Sequence, residues 1–350
     1  MDNIDNMDNT ENTEQNKEPK LRGYKIVCAK LGLSMCVYFT CRLSTGGIAK
    51  LLEAVSGQMN PVLFSIVHSL IIVMLVYVIP LLFTVLLFRR QTAYKGNYRK
   101  LYKKPRRPAK AFGTLPAMIG LGYGVALLTL LVSYLISKYA DGQTLIEELL
   151  RPTTVEPTAD MTGVLIMAFM MVVIAPVFEE FWTRGIMYDA LKPYGTGMAI
   201  LISSLLFGLM HGSLYMLFYT TAYGLALGYI RYATGSLFTG TILHAIVNSI
   251  GAAALILSSL MHITNEENRI INTVNVVYLV AVLAFIIVGI IVFISKIPVI
   301  RKYKTENPWT EFGPWKKTAW FFMSVPVIIM LVLAFNEITK DWLLDLLLGI

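Results

Sequence analysis

Six polar side chains lie inside strongly apolar stretches of this chain, and their types are those of a hydrolytic or metal-binding site. They are two carboxylates, a guanidinium, two imidazoles and an amide: Glu179, Glu180, Arg184, His211, His244 and Asn248. An ionisable side chain at bilayer depth costs at least ~2.5 kcal/mol on insertion scales, so it is usually paired and functional. The pattern therefore predicts an enzyme embedded in a membrane.

The composition predicts an all-α, polytopic membrane protein. The 350 residues are 56% hydrophobic and only 15% charged, whereas a soluble domain carries ~25% charged residues. The long apolar runs predict nine transmembrane helices, or eight, because each run is long enough to cross a bilayer. The nine segments cover residues 24–41, 62–88, 112–137, 161–191, 198–213, 214–231, 236–262, 273–295 and 318–335.

The Lys and Arg content of the loops predicts the orientation. Residues 89–110 hold ten Lys or Arg and residues 296–317 hold six, whereas residues 42–61 and 138–160 hold two each. Basic loops stay on the cytoplasmic side, so the N-terminus is predicted to be cytoplasmic and the C-terminus external. In a bacterium the membrane is the cell membrane. Because the basic residues lie in short loops between spans, nucleic acid is not expected as a partner.

Four regions follow from these patterns. Residues 1–23 are rich in Asp, Glu and Asn and are predicted to be a disordered cytoplasmic tail. Residues 24–160 form N-terminal transmembrane helices with the basic loop 89–110, residues 161–262 a four-helix catalytic core, and residues 263–350 C-terminal transmembrane helices. The polar side chains all fall in the third region.

Helical geometry predicts that these polar groups meet. Measured from the predicted cytoplasmic ends of their spans, the depths by helical rise are ~17 Å for Glu180, ~20 Å for His211, ~12 Å for His244 and ~18 Å for Asn248. The turn that joins the fourth and fifth spans is short and contains Pro and Gly, so these two spans are antiparallel. All the groups therefore converge on one layer, somewhat to the cytoplasmic side of the bilayer centre.

Local spacing assigns different directions to the two carboxylates. Glu180 and Arg184 are i,i+4, in the order that favours an ion pair within a helix. Glu179 is rotated by ~100° from Glu180, so we expect one carboxylate to face a cavity and the other to bind Arg184. His244 and Asn248 are also i,i+4 and share a helix face. Pro176, one turn before the carboxylates, is expected to kink its helix.

Two mechanisms fit these residue types, and the sequence does not separate them. In the first, His211, His244 and Glu179 hold a divalent metal that activates a bound water. Imidazole and carboxylate ligands suit zinc. In the second, a glutamate acts with His211 to activate water directly, and His244 and Asn248 donate hydrogen bonds to the oxyanion. Both mechanisms predict hydrolysis of an acyl bond.

The three ordered motifs resemble the CAAX protease and bacteriocin-processing family of intramembrane proteases. The motifs are Glu-Glu-x-x-x-Arg at 179–184, Phe-x-x-x-His at 207–211 and His-x-x-x-Asn at 244–248. That family includes the type II CAAX prenyl endopeptidases and bacteriocin self-immunity proteins. Thr183 departs from the pattern, because an aromatic residue often precedes the arginine.

The resemblance implies roles for individual residues. Glu179 is the water activator, His211 its partner or a metal ligand, and His244 and Asn248 complete the metal site or the oxyanion hole. Glu180 and Arg184 are supporting and mainly structural. Zinc is an expected cofactor, and the metal-free glutamate mechanism stays open beside it. The expected substrate is a membrane-associated or lipidated peptide or protein, cleaved near the cytoplasmic face.

Two other classes of function use the same residues. A non-catalytic immunity protein or peptide-binding scaffold would keep the fold with a silent site, so changes at Glu179 or His244 would leave its phenotype intact. A transporter would use the buried glutamate and histidine for proton coupling. The sequence identifies neither the substrate nor the oligomeric state.

Overall fold

The computed structural model describes residues 5–56, 60–90, 97–106, 108–139, 150, 161–264, 268–302 and 312–348, and over these residues it contains helices and no strand. Besides a 3₁₀ turn at Tyr98–Tyr102, we number ten helices: α1 Asp5–Ser56, α2 Val62–Phe88, α3 Pro108–Tyr139, α4 Met161–Tyr194, α5 Thr196–Leu209, α6 Leu214–Thr234, α7 Leu237–Ile263, α8 Arg269–Lys302, α9 Pro314–Phe322 and α10 Val325–Leu348. The predicted all-α, polytopic membrane fold is confirmed.

The nine predicted apolar segments are helical, but fewer helices are long and apolar enough to cross a membrane alone. Within the described ranges six meet that condition, namely the long apolar parts of α1, α2, α3, α4, α7 and α8. The segments Trp315–Phe322 and Val325–Lys340 make a seventh span only if they are taken together across a 71° bend. The fifth and sixth predicted spans do not meet this condition. Helix α5 has only 14 residues, and α6 carries three tyrosines and one threonine that face a cavity.

Residues 1–23 are predicted to be a disordered tail, and residues 1–4 lie outside the described residues. Among the described residues, α1 is helical from Asp5 onwards and runs without a break into the apolar segment.

The predicted four-helix core corresponds to α4–α7. Helix α5 packs on α6 and on the second half of α4, while α7 packs on the first half of α4 and on α6. The remaining helices surround this core: α1 packs on α2 and α10, and α3 packs on α6 and α8. The backbones of α3 and α8 touch at Gly120 and Gly289, where a Cβ on either residue would overlap the other helix.

Three π-helical segments interrupt the helices next to the polar residues. One lies in α2 at Val73–Val78, and two lie in α4 at Met170–Ile174 and Phe181–Met187. The carboxylate pair sits on the short α-helical stretch Ala175–Glu180 between the two segments in α4. A π segment leaves backbone carbonyls without their usual partners and is often found at functional sites. The stretch that carries Pro176 and both carboxylates therefore lies between two such segments.

Candidate functional site

A cavity of about 390 Å³ lies among α2, α3, α4, α6 and α7. Four of the predicted site residues line it: Glu179, His211, His244 and Asn248. The rest of its wall is largely apolar and aromatic, with methionine, glycine and alanine on α3 and tyrosines on α3 and α6. The convergence predicted from helical rise is therefore present in the structure. Glu180 and Arg184 do not line the cavity and lie behind it.

Glu179 presents its carboxylate to the cavity. Its Oε1 atom accepts a hydrogen bond from the Tyr77 hydroxyl at 3.3 Å, and its Oε2 atom lies 3.7 Å from His244 Nε2. Only 12% of the side chain is exposed. The carboxylate thus has one hydrogen-bond partner and a second oxygen beside an imidazole, and both groups line the cavity.

Glu180 points away from the cavity and anchors two other groups. Its Oε1 atom accepts from Arg184 Nη1 at 2.9 Å and from His244 Nδ1 at 3.2 Å. Because the ion pair keeps Glu180 a carboxylate, which only accepts hydrogen bonds, Nδ1 of His244 must carry the proton. The Nε2 atom of His244 is then turned towards Glu179. The two adjacent carboxylates take different directions, as their helical spacing predicted.

Arg184 is completely buried and ties three elements together. Besides Glu180, its guanidinium donates to Thr183 Oγ1 at 2.7 Å and to the Gly224 carbonyl at 3.0 Å. It also lies 4.4 Å from the centre of the Phe207 ring, a cation–π contact. Thr183, the departure from the family pattern, thus accepts a hydrogen bond from the arginine and donates one to the Glu179 carbonyl at 2.6 Å.

His211 lies in the turn after α5, and its ring is bound to a backbone carbonyl of α5. Its Nδ1 atom is 2.9 Å from the Phe207 carbonyl. A carbonyl only accepts, so Nδ1 carries the proton and Nε2 is left as an acceptor when the ring is neutral. The Phe207 ring stands edge-on to both imidazoles, with centroids 5.0 Å from His211 and 5.6 Å from His244. One aromatic side chain therefore separates and orients the two histidines.

Asn248 reaches one of the carbonyls of a π segment. Its Nδ2 atom donates to the Met171 carbonyl at 2.8 Å. An amide nitrogen has two hydrogens, so the second one can serve a ligand in the cavity that Asn248 lines. His244 and Asn248 face the same cavity, in agreement with their i,i+4 spacing.

The arrangement does not gather a complete set of metal ligands. Within the residues that the structure covers, no three His, Cys, Asp or Glu side chains are grouped so that they could hold a metal ion. Within the predicted set, the Glu179 carboxylate lies 3.7 Å from His244 Nε2, and His211 lines the same cavity without completing a group of three ligands. These residues do not fit a metal in this arrangement, and the zinc site stays a prediction.

Two features of the site were not found from the sequence. Tyr77 on α2 donates a hydrogen bond to the Glu179 carboxylate, and the available signal was a tyrosine hydroxyl inside an apolar span, which needs a polar partner when it is buried. The buried ion pair Asp189–Arg231, at 3.2 Å, supports the second π segment, because Arg231 also donates to the Arg184 carbonyl at 3.3 Å. No spacing rule connects residues 42 positions apart on two helices.

Comparison with known families identifies this part of the chain. Residues 161–250 match the Rce1-like family, described as type II CAAX prenyl endopeptidase Rce1-like. The match covers α4, α5, α6 and the first half of α7, which hold all six predicted polar residues, and it confirms the resemblance drawn from the three motifs. Neither a curated protein nor a solved structure matches the chain. The Rce1-like domain supports CAAX-type protease activity in general.

Proposed function

We propose that this protein is an intramembrane endopeptidase that hydrolyses a peptide bond of a membrane-associated or lipidated substrate, using water activated by Glu179. The observation that carries the proposal is the placement of Glu179 Oε2 3.7 Å from His244 Nε2 on the wall of a cavity. Glutamate, two histidines and an asparagine around one enclosed space provide a base, its partner and two oxyanion donors.

The proton movements can be assigned to named atoms. Glu179 takes one proton from water while Nε2 of His211 accepts a hydrogen bond from the remaining O–H group, and the resulting hydroxide attacks the substrate carbonyl carbon. His244 Nε2–H and the free hydrogen of the Asn248 amide stabilise the resulting oxyanion. Glu179 then returns its proton to the leaving amine as the C–N bond breaks, so the base is regenerated. The balance requires no other reactant.

As an oxyanion donor, His244 needs a proton on Nε2 as well as on Nδ1. Glu179 and Glu180 then face two cations, His244 and Arg184, and the charges of these four groups cancel. When Glu179 takes the water proton, its negative charge passes to the oxyanion, which His244 can then bind. An isolated charge in a membrane interior is costly, so a charge that moves between neighbouring atoms is favoured over one that appears alone.

The apolar and aromatic wall of the cavity suits a lipidated or strongly apolar peptide as substrate.

The test is whether the purified protein cleaves any of three peptides. The first has a prenylated C-terminal Cys-aliphatic-aliphatic-X sequence, the second is the same peptide without the lipid, and the third is an unrelated apolar membrane peptide. We expect the prenylated peptide to be cut and mass spectrometry to identify the bond. Binding without cleavage would favour a scaffold, and proton-linked flux in vesicles would favour a transporter. Metal analysis of the same preparation tests the zinc prediction.

Tyr77→Phe is expected to lower kcat by about three- to tenfold, because it removes one hydrogen bond of about 0.5–1.5 kcal/mol from the Glu179 carboxylate. The ring and its contact with Phe178 at 5.6 Å stay in place, so KM should not change. Tyr219→Phe, a tyrosine of the same cavity without a contact to Glu179, is the control. Equal kinetics for both variants would contradict a role of Tyr77 in orienting the base.

A further inference from the structure

The turn that carries His211 needs hydrogen-bond donors from outside the Rce1-like domain. Helix α5 has 14 residues, or ~21 Å by helical rise, which is short of the ~30 Å thickness of a bilayer core. It ends at Leu209, and Met210–Ser213 join it to α6 without helical structure. Non-helical backbone at membrane depth is stable only where protein or enclosed water satisfies its polar groups.

Arg42 of α1 supplies donors to this turn. Its Nη1 atom donates to the Met210 carbonyl at 3.1 Å, and its Nη2 atom donates to the His211 carbonyl at 3.2 Å. The Tyr38 hydroxyl donates to the same Met210 carbonyl at 2.6 Å. A cation at the C-terminal end of a helix also interacts favourably with its dipole. The backbone of His211 itself is therefore fixed by a side chain that lies 169 residues earlier.

Glu337 of α10 holds the guanidinium in this position. Its Oε1 atom accepts from Arg42 Nε at 2.8 Å, and its side chain is 2% exposed. The turn fits closely against this pair, because Gly212 has φ +67° and a Cβ there would lie 2.9 Å from Arg42 Nη2 and 3.0 Å from Glu337 Cγ. A planar guanidinium can serve a carboxylate and two carbonyls at once, which an ammonium group cannot do with the same geometry.

We propose that Arg42, oriented by Glu337, is a positioning residue for His211, and this inference rests on the role of His211 in the proposed function. The His211 ring is anchored at Nδ1 by the Phe207 carbonyl, and its backbone is anchored by Arg42. The two anchors together fix the direction in which Nε2 enters the cavity. Both ends of the chain, α1 and α10, thereby act on a site in α4–α7.

Lys340 offers a matched control on the same carboxylate. Its Nζ atom lies 3.0 Å from the same Glu337 Oε1 atom, but its side chain is 43% exposed. Arg42 donates hydrogen bonds both to Glu337 and to the turn, whereas Lys340 donates to Glu337. Removal of either cation takes one ion pair from Glu337, and only the Arg42 variant also takes donors from the turn.

The first experiment measures peptide cleavage by full-length Arg42→Ala, Arg42→Lys and Lys340→Met. We expect Arg42→Ala to lower kcat by about ten- to a hundredfold, since a misplacement of ~1 Å at a catalytic group can cost ~100-fold. KM should stay within about twofold, because substrate contacts are unchanged. Arg42→Lys should fall between Arg42→Ala and wild type, and Lys340→Met should match wild type. Kinetics of the Arg42 variants equal to those of Lys340→Met would overturn the proposal.

The second experiment does not depend on proteolysis. The chain has four histidines, so imidazole signals of histidine-labelled protein in detergent can be assigned with a His211→Ala variant. We expect the His211 signal to move or broaden in Arg42→Ala and Arg42→Lys, and to stay in place in Lys340→Met. An unmoved signal in both Arg42 variants would overturn the proposal. If the His211 signal moves in the Arg42 variants but wild type cleaves no peptide, the positioning of His211 by Arg42 is supported and the proposed function is contradicted.

Discussion

Glu179→Gln is expected to abolish peptide cleavage while the protein stays folded. Glutamine has nearly the same shape and can still accept the hydrogen bond of Tyr77 through its amide oxygen. It cannot take a proton from water, and loss of a general base lowers the rate by about 100- to 10,000-fold. The measurement is kcat/KM on the cleaved peptide, with thermal unfolding in detergent recorded on the same samples.

Asp189→Asn is the matched control, because it makes the same chemical change at a buried carboxylate of α4 that does not line the cavity. Asp189 pairs with Arg231 at 3.2 Å, and removal of one partner of a buried pair destabilises by about 3–5 kcal/mol. Asp189→Asn should therefore unfold at lower temperature and keep its kcat per folded molecule. If Glu179→Gln loses activity only in proportion to its folded fraction, Glu179 is structural.

The sequence was most informative where one helix decides the geometry. The i,i+4 spacing of Glu180 and Arg184 predicted their ion pair, and the ~100° rotation per residue predicted that Glu179 would take another direction. Helical rise along three spans then placed the histidines in the same layer of the bilayer as the carboxylates. These predictions needed only the period of a helix and the ends of the apolar runs, and they succeeded although the span boundaries were approximate.

The features that escaped prediction depend on contacts between distant helices or on irregular turns. The π segments on either side of Ala175–Glu180 change the helical phase of α4. Nothing in the amino-acid composition of these two segments distinguishes them from ordinary α-helix. The Arg42–Glu337 pair joins residues 295 positions apart, so no local spacing connects them. The sequence predicts one span over residues 198–213, but α5 ends at Leu209 and the Met210–Ser213 turn follows it.

Arg184→Met is expected to cause a large loss of stability. The side chain is fully buried, so its removal leaves the Glu180 carboxylate without its guanidinium partner, at a cost of about 3–5 kcal/mol. That is a large part of a typical folding free energy of 5–15 kcal/mol. Hydrogen bonds to Thr183 and the Gly224 carbonyl are lost as well. Unfolding in detergent, followed by temperature or denaturant, measures the change.

A double variant, Glu180→Gln with Arg184→Met, separates the two roles of Glu180. With both charges removed, no uncompensated carboxylate remains, so the double variant should be more stable than Arg184→Met alone. It should not recover cleavage, because His244 Nδ1 has lost the carboxylate that orients its Nε2 atom towards Glu179. Strictly additive stability losses would show that Arg184 acts through Phe207 and Gly224 and not through the ion pair. Recovered cleavage would show that the chemistry does not need the charge of Glu180 behind His244.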